Sequence, residues 1–323
     1  MKSSGQSIGQ DGSSALIRQV AVCDAGAGPY AVTSGPDGAL WVTLVHAGQI
    51  ARVDTDGSVE LHRLDSATCR PSQITTGHDG ALWFTRAGDD RIGRISIDGT
   101  ATSFALDEGS APFGIAVGPD GATWFTAMGT DRIGRISAAG ELSWLELPVT
   151  GAMPSMITSG PDRALWVTLH RANALARIDA DGHVAAHPLP TPGAGPVGIA
   201  AGCDGVWFVE IAAGQIGRMD LDGRIREWPL PDRGARPHAI VGDPDGGFWF
   251  TEWAADRVGH ITPAGEMRHV ALARGSEPHG LTTGPDHALW IALERARSHS
   301  ERACLVRLER AAFAPVPTED TTT

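Results

Sequence analysis

A short stretch near the C-terminal end of the chain contains the residue types needed for proton transfer beside a metal ion. Glu277, His279 and Glu294 lie within 18 residues of one another. Two carboxylates without a neighbouring lysine repel each other unless a cation lies between them, and hard oxygen ligands favour Mg²⁺ or Ca²⁺ over zinc. An imidazole beside such an ion can accept a proton near neutral pH. This chemistry requires structural elements that bring the three side chains together.

Those elements are β-strands in a repeat of about 42 residues. Tryptophans recur at intervals of 42, 41, 42, 41, 42 and 41 residues, at Trp41, Trp83, Trp124, Trp166, Trp207, Trp249 and Trp290. In the third copy, four strand-like runs, GIAV, ATWFT, IGRIS and LSWLEL, are separated by turn-forming sequences such as GPDG. Four antiparallel strands per repeat are typical of a propeller blade. The sequence therefore predicts an all-β fold, a seven-bladed β-propeller.

The two ends of the chain indicate how the ring closes. The seventh copy contains three strand-like runs, the last of which is CLVRLE. The run Ala15–Val22 precedes the first repeat and can supply the missing outer strand, which removes an open sheet edge. We therefore predict one propeller domain over residues 14–311, with disordered segments at residues 1–13 and 312–323.

A proline precedes the innermost strand of each repeat, and the residue after it begins that strand. These seven residues are predicted to ring one mouth of the central channel: Tyr30, Ser72, Phe113, Ser155, Val197, His238 and His279. Closure makes blades seven and one neighbours, so Tyr30, His238 and His279 form a continuous arc. The aspartates of the GPDG turns lie at the opposite mouth and are interpreted as turn formers.

Glutamates follow the second strand in blades five, six and seven. Glu294 lies four residues after its tryptophan, whereas Glu210 and Glu252 lie three residues after theirs. Side chains alternate along a strand, so this offset predicts a different direction for Glu294. We interpret Glu210 and Glu252 as structural groups, and the last copy as the place where the repeat became specialised.

Composition limits the classes of function. The 323 residues are 42% hydrophobic and 20% charged, which is ordinary for a soluble globular protein. A formal net charge of −12 argues against a nucleic-acid partner, and no apolar run is long enough to span a membrane. The four cysteines lack the spacing of a disulfide framework, and the N-terminus lacks the apolar core of a secretion signal. We expect a cytoplasmic protein and, because a closed ring folds without a partner, a monomer.

The segments at this mouth resemble the virginiamycin B lyase family, the streptogramin B lyases of resistant bacteria. The resemblance lies in GPYAVT, GPVGIA, VWFVEI, ARPHAI, FWFTEW and SEPHG and in the displaced glutamate of ALE, and it extends from about Ala15 to Glu309. It implies a Mg²⁺-dependent carbon–oxygen lyase that linearises cyclic depsipeptide antibiotics. Such an enzyme removes the α-proton of the esterified threonine and expels the carboxylate, and it thereby confers antibiotic resistance.

The resemblance also implies a role for each residue of the arc. His279 would be the general base, and His238 would bind the substrate. Tyr30 would position the substrate or the catalytic histidine. Glu277 and Glu294 would hold Mg²⁺, directly or through water. A bound divalent cation would stabilise the enolate that develops when the weakly acidic α-proton is removed.

Two features of the rim bear on the substrate. Phe113, Val197 and Trp253 are candidates to support the apolar groups of an antibiotic. The charged sequence RARSHSERAC after Glu294 is longer than the loop typical of the family, so the same elimination could act on a different cyclic peptide or ester.

Two other functions fit the same repeat. A lactonase-like metal hydrolase would add one water to its product, whereas elimination opens the ring without a change in mass. A non-catalytic propeller module would bind a peptide or cell-wall fragment without turnover and without dependence on Mg²⁺.

Overall fold

Seven four-stranded antiparallel sheets form the computed structural model, which describes residues 17–294 and 303–309. The innermost strands of successive sheets contact one another, so the sheets are the blades of a ring. This confirms the predicted seven-bladed β-propeller. Within the described ranges, no helix is long and apolar enough to cross a membrane.

Each blade runs from an inner strand to an outer strand in sequence order. Blades one to three contain β2 (Pro29–Ser34), β3 (Leu40–Leu44), β4 (Gln49–Val53) and β5 (Val59–Arg63); β6 (Pro71–Thr76), β7 (Leu82–Arg86), β8 (Arg91–Ile95) and β9 (Ala101–Ala105); β10 (Pro112–Val117), β11 (Thr123–Ala127), β12 (Arg132–Ile136) and β13 (Leu142–Glu146). Blades four and five contain β14 (Pro154–Ser159), β15 (Leu165–Leu169), β16 (Ala174–Ile178) and β17 (Val184–Pro188); β18 (Pro196–Gly202), β19 (Gly205–Glu210), β20 (Gln215–Asp220) and β21 (Ile225–Pro229). Blade six contains β22 (Pro237–Gly242), β23 (Phe248–Glu252), a 3₁₀ turn (Trp253–Ala255), β24 (Arg257–Ile261) and β25 (Met267–Ala271).

Blade seven is built from both ends of the chain. Its strands are β26 (Pro278–Thr283), β27 (Leu289–Leu293), β28 (Ala303–Leu308) and, outermost, β1 (Ile17–Cys23). Strand β1 pairs antiparallel with β28, with buried Val20 opposite buried Leu305. The predicted closure by the N-terminal strand is therefore confirmed. The segments predicted to be disordered lie outside the described residues.

Six of the seven repeated tryptophans are buried, Trp124 is half-buried, and in five blades a turn aspartate holds the indole. In blade one, Oδ1 of Asp37 accepts a hydrogen bond from Nε1 of Trp41 at 3.1 Å, and Oδ2 accepts one from Nε of Arg52 at 2.7 Å. Burial alone would raise the pKa of Asp37, but these hydrogen bonds outweigh it and lower that pKa. The same three-residue network recurs at Asp79, Asp120, Asp162 and Asp286. The aspartates therefore join the second and third strands as well as forming turns.

Threonines on the second strands connect five of the seven blades to the next one. Oγ1 of Thr251 accepts a hydrogen bond from the N–H of Ala239 at 3.0 Å and donates to the carbonyl of His279 at 2.9 Å. Equivalent bonds to the next blade are made by Thr43, Thr85, Thr126 and Thr168. At the closing seam, Gly280 allows close approach, because a Cβ there would lie 2.7 Å from the carbonyl oxygen of Tyr30. These contacts bring the first residues of the inner strands together around the axis.

Glu210 and Glu252 end their strands with fully buried side chains that point toward outer strands. Glu252 pairs with Arg257 at 2.5 Å and lies 3.4 Å from Nδ1 of His269. Glu210 accepts a hydrogen bond from Gln215. Burial, together with the neighbouring Glu227 carboxylate, raises the pKa of Glu210 to about 8. These contacts support the structural interpretation of both glutamates.

The stability of the protein is expected to depend on pH through Glu210. Its pKa is raised in the folded state, so its contribution to stability is fully present below about pH 4.5 and is lost as the pH rises through about 8. Urea unfolding of the wild type and of Glu210→Gln between pH 5 and pH 9 measures this. Between pH 5 and pH 9, the free energy of unfolding of the wild type should fall by roughly 2–4 kcal/mol more than that of the variant. If the free energies of unfolding of the two proteins instead changed equally with pH, the pKa of Glu210 in the folded state would be ordinary.

Candidate active site

Three ring side chains converge where the inner strands of blades one, six and seven begin. Tyr30, His238 and His279 are the second residues of β2, β22 and β26. In each of these strands the pairing is interrupted just after the proline, as between Pro278 and Leu281. The residue after the proline is therefore released from the regular ladder, and its side chain can turn toward its equivalents.

The three rings pack against one another. The His279 ring lies 4.7 Å from the Tyr30 ring and 4.6 Å from the His238 ring, measured between centroids. The Tyr30 hydroxyl lies 3.5 Å from Nε2 of His238. The structure thus brings the three residues of the predicted arc into contact, although Tyr30 and His279 are 249 residues apart in the sequence.

Burial fixes the protonation states of two members of the arc. Burial and the adjacent His279 lower the pKa of His238 to about 3, so this imidazole is neutral at physiological pH. Burial and the nearby Glu294 carboxylate raise the pKa of Tyr30 above its ordinary value, so the phenol keeps its proton. Tyr30 can therefore donate a hydrogen bond, and neither residue carries charge.

Glu294 is directed to this arc, unlike Glu210 and Glu252. It directly follows β27, and its Oε2 lies 2.6 Å from Nε2 of His279. The two atoms are in ion-pair contact, although the N–H bond is not aligned with the oxygen. The contact with His279 and a second one with His46 outweigh burial and lower the pKa of Glu294 to about 2. The predicted effect of the one-residue offset is confirmed.

The arc contains buried imidazole nitrogens that have no hydrogen-bond partner in the part of the chain that the structure describes. Nδ1 of His279 and Nδ1 of His238 accept or donate no hydrogen bond among the described residues. A buried polar atom without a partner raises the free energy of the resting protein by about 1–3 kcal/mol. Such atoms are expected where a ligand supplies the missing partner.

Glu277 is held beside Glu294 through its backbone. It precedes Pro278 with φ of 45°, in the left-handed region, and its N–H donates to Oδ1 of Asp256 at 3.0 Å. Its carbonyl accepts a hydrogen bond from the N–H of Glu294 at 3.2 Å. The chain segments carrying the two predicted metal ligands are therefore directly joined.

The two predicted metal ligands at the mouth carry the donor type that hard divalent cations prefer. Glu277 and Glu294 offer carboxylate oxygens, and Mg²⁺ is commonly held by one or two carboxylates while it keeps several waters. A three-ligand cluster is found at Asp179, Asp181 and His183, in the exposed turn after β16. That turn is at the opposite mouth, and Asp179 accepts hydrogen bonds from the backbone N–H groups of Asp181 and His183, as in an ordinary turn.

Two contacts of the arc were not anticipated from the sequence. Nε2 of His46, in the loop after β3, lies 3.0 Å from Oε1 of Glu294. Trp253 lies 6.0 Å from the His279 ring and is covered by the Arg236 guanidinium at 5.6 Å. His46 belongs to blade one, at the same seam as Tyr30. Its position at that seam is the feature of the sequence from which the contact could have been predicted.

The four other ring positions are two buried serines, Ser72 and Ser155, and two apolar residues, Phe113 and Val197. Phe113 packs edge-on against Tyr30, with centroids 6.4 Å apart, and Val197 is 7% exposed on blade five. Below the rim, a narrow cavity of about 80 Å³ between the inner strands is lined by residues that include His238, Met156 and Ile199. The longer loop after Glu294 lies outside the described residues.

This fold and mouth define a class of protein: a seven-bladed β-propeller whose ionisable residues from three adjacent blades form one site at the channel entrance. The model of the Virginiamycin B lyase family matches residues 15–298. The chain therefore belongs to the virginiamycin B lyase family.

Individual relatives match over short segments. A virginiamycin B lyase of Saccharopolyspora erythraea is 56% identical over 50 residues, which is 16% of this chain and 17% of that protein. A virginiamycin B lyase of Streptomyces coelicolor is 60% identical over 47 residues, or 14% of this chain and 16% of that protein. The matched part spans about a sixth of each of these curated relatives.

Solved structures match over nearly the whole fold. A streptogramin B lyase structure is 36% identical with a TM-score of 0.84 and covers 91% of this chain and 97% of its own. A catalytically inactive virginiamycin B lyase from Staphylococcus aureus with quinupristin is 35% identical with a TM-score of 0.84, and the shares covered are 91% and 98%. The propeller domain of Doa1, at 10% identity and a TM-score of 0.74, shares the fold alone.

Proposed function

We propose that this protein linearises type B streptogramin antibiotics by a Mg²⁺-assisted elimination at their ester bond. The observation that carries the proposal is the convergence of Tyr30, His238, His279 and Glu294 at one mouth. Membership of the virginiamycin B lyase family supports the substrate class, and so does the likeness to a family structure determined with quinupristin.

His279 is the proposed general base. With a proton on Nε2, which faces the Glu294 carboxylate, the neutral His279 ring would carry its lone pair on Nδ1. Nδ1 accepts the proton from the threonine α-carbon. The C–H electron pair forms the Cα–Cβ double bond, the Cβ–O bond breaks, and its electron pair leaves with the carboxylate. The charged imidazolium that forms is stabilised by the Glu294 carboxylate beside it.

His238 and Tyr30 are proposed to orient the substrate. A neutral His238 can bind a peptide group through its unpartnered Nδ1 without competing for the α-proton. The Tyr30 phenol keeps its proton, packs on the His279 ring and limits the orientations available to it. Restricting reacting groups in this way lowers the activation free energy.

Mg²⁺ is proposed to be held by Glu277 and Glu294, directly or through water. When bound, the ion polarises the carbonyl next to the α-carbon and so increases the acidity of its proton. The joined backbones of the two glutamates and the hard oxygen donors favour this placement.

The substrate is proposed to lie across the mouth and not inside the channel. A cavity of about 80 Å³ is far smaller than the roughly 300–1,000 Å³ typical of small-molecule sites. Phe113, Val197 and Trp253 offer apolar contacts on the rim for the side chains of a cyclic depsipeptide.

Mass spectrometry of the product tests the reaction type. Purified protein with Mg²⁺ should convert a type B streptogramin to a ring-opened product of unchanged mass that contains one new double bond. In ¹⁸O-labelled water, no label should enter the product. A mass gain of one water would identify a hydrolase, and tight binding without conversion would identify a binding module; either result contradicts the proposal.

A further inference from the structure

The Glu294 carboxylate has an imidazole on each of its two oxygens. Oε2 contacts His279, and Oε1 lies 3.0 Å from Nε2 of His46. An ionised carboxylate only accepts hydrogen bonds, so His46 donates from Nε2. We propose that His46 is a positioning residue that fixes Glu294 and, through Glu294, the base His279; this inference rests on the proposed function.

The backbone around His46 is fixed although its side chain is 48% exposed. The N–H of His46 donates to the carbonyl of Ala27 at 3.0 Å, and the N–H of Val45 donates to the carbonyl of Gly28 at 2.9 Å. These bonds hold the loop after β3 against the segment that leads into β2. The His46 side chain therefore extends from a fixed backbone position on blade one.

Gly28 provides the space in which the His46 ring lies. Its φ is +67°, and a Cβ at this position would lie 2.4 Å from Cδ2 and 3.0 Å from Nε2 of His46. Any larger residue would displace the ring from Glu294 as well as strain the backbone. The glycine and the imidazole thus form one unit directed at the carboxylate.

The contact with His46 restricts a rotation of the Glu294 carboxylate that the contact with His279 alone would permit. A carboxylate held at a single oxygen can rotate about its Cγ–Cδ bond, which changes the direction of Oε2 relative to His279. Holding Oε1 from blade one and Oε2 from blade seven defines the carboxylate plane across the closing seam. Small displacements of groups that align a catalytic base reduce turnover by up to about a hundredfold.

Kinetics of two His46 variants test the inference. His46→Ala should lower kcat on a type B streptogramin by about tenfold to a hundredfold while KM changes less than about twofold. His46→Gln should restore most of kcat, because its amide nitrogen can donate from nearly the same place. His183→Ala is the matched control: His183 is also an exposed imidazole beside a carboxylate, that of Asp179 at 3.4 Å, but it lies in the turn at the opposite mouth, so its loss should leave kcat unchanged.

A spectroscopic readout keeps the inference separate from the proposed function. The ¹⁵N shifts of the His279 imidazole should change in His46→Ala, return toward wild type in His46→Gln and stay unchanged in His183→Ala. If wild-type protein does not convert the antibiotic, the proposed function fails and these shifts alone decide the inference. Unchanged His279 shifts in His46→Ala, an effect on KM alone, or a lower Tm as the only change would each overturn it.

Discussion

His279→Ala is expected to lower kcat on a type B streptogramin by about 10²–10⁴-fold, the usual contribution of a positioned acid–base group. Among the three rings of the arc, His238 is held neutral with a pKa of about 3 and Tyr30 is held protonated, so neither can replace the missing base. Single-turnover kinetics followed by chromatography measures the rate of the chemical step directly.

The control for this variant is His183→Ala. His183 is 79% exposed in the turn at the opposite mouth, so its loss should change neither kcat nor Tm. The His279 variant should also keep Tm within a few degrees of wild type and still bind the antibiotic. A His279 variant with near-wild-type kcat would exclude this residue as the base.

Removal of the divalent cation is expected to have a comparably large effect. Chelation with EDTA should reduce turnover at least about a hundredfold, because charge stabilisation by a metal contributes several kcal/mol to the transition state. Added Mg²⁺ should restore the rate. Full activity after exhaustive chelation would remove Mg²⁺ from the proposed reaction.

The two glutamates should respond differently to added metal. Glu277→Gln should raise the Mg²⁺ concentration needed for half-maximal rate by about tenfold or more, with the rate recovered at high Mg²⁺. Glu294→Gln should show the same shift and also a lower kcat at saturating Mg²⁺, because Glu294 contacts His279. Glu141→Gln, exposed in the turn after β12, is the control. Unchanged metal dependence in both variants would exclude Glu277 and Glu294 as ligands.

Local patterns in the sequence were sufficient to predict the fold. The interval between tryptophans indicates the number of residues in a blade, and the proline at each inner strand indicates where that strand begins. Strand alternation also predicted that Glu294 would diverge from Glu252, which pairs with Arg257 in the structure. Each of these predictions depends on backbone geometry over a few residues, which the local sequence determines.

Contacts between blade seven and blade one could not be predicted from local sequence patterns. His46 and Glu294 are 248 residues apart and meet because blade seven closes against blade one. Their contact also depends on the space above Gly28, which is visible only once the loops are placed. The role of Mg²⁺ and of Glu277 as its ligand stays a prediction.

The sequence by itself determined the seven-bladed ring and the arc of Tyr30, His238 and His279, because repeat symmetry converts position in a repeat into position on the rim. The tertiary structure alone decided that Glu294 contacts the His279 imidazole through one carboxylate oxygen and the His46 imidazole through the other. Those features depend on rotamers and on packing between distant segments, which interblade contacts set and the repeat does not encode.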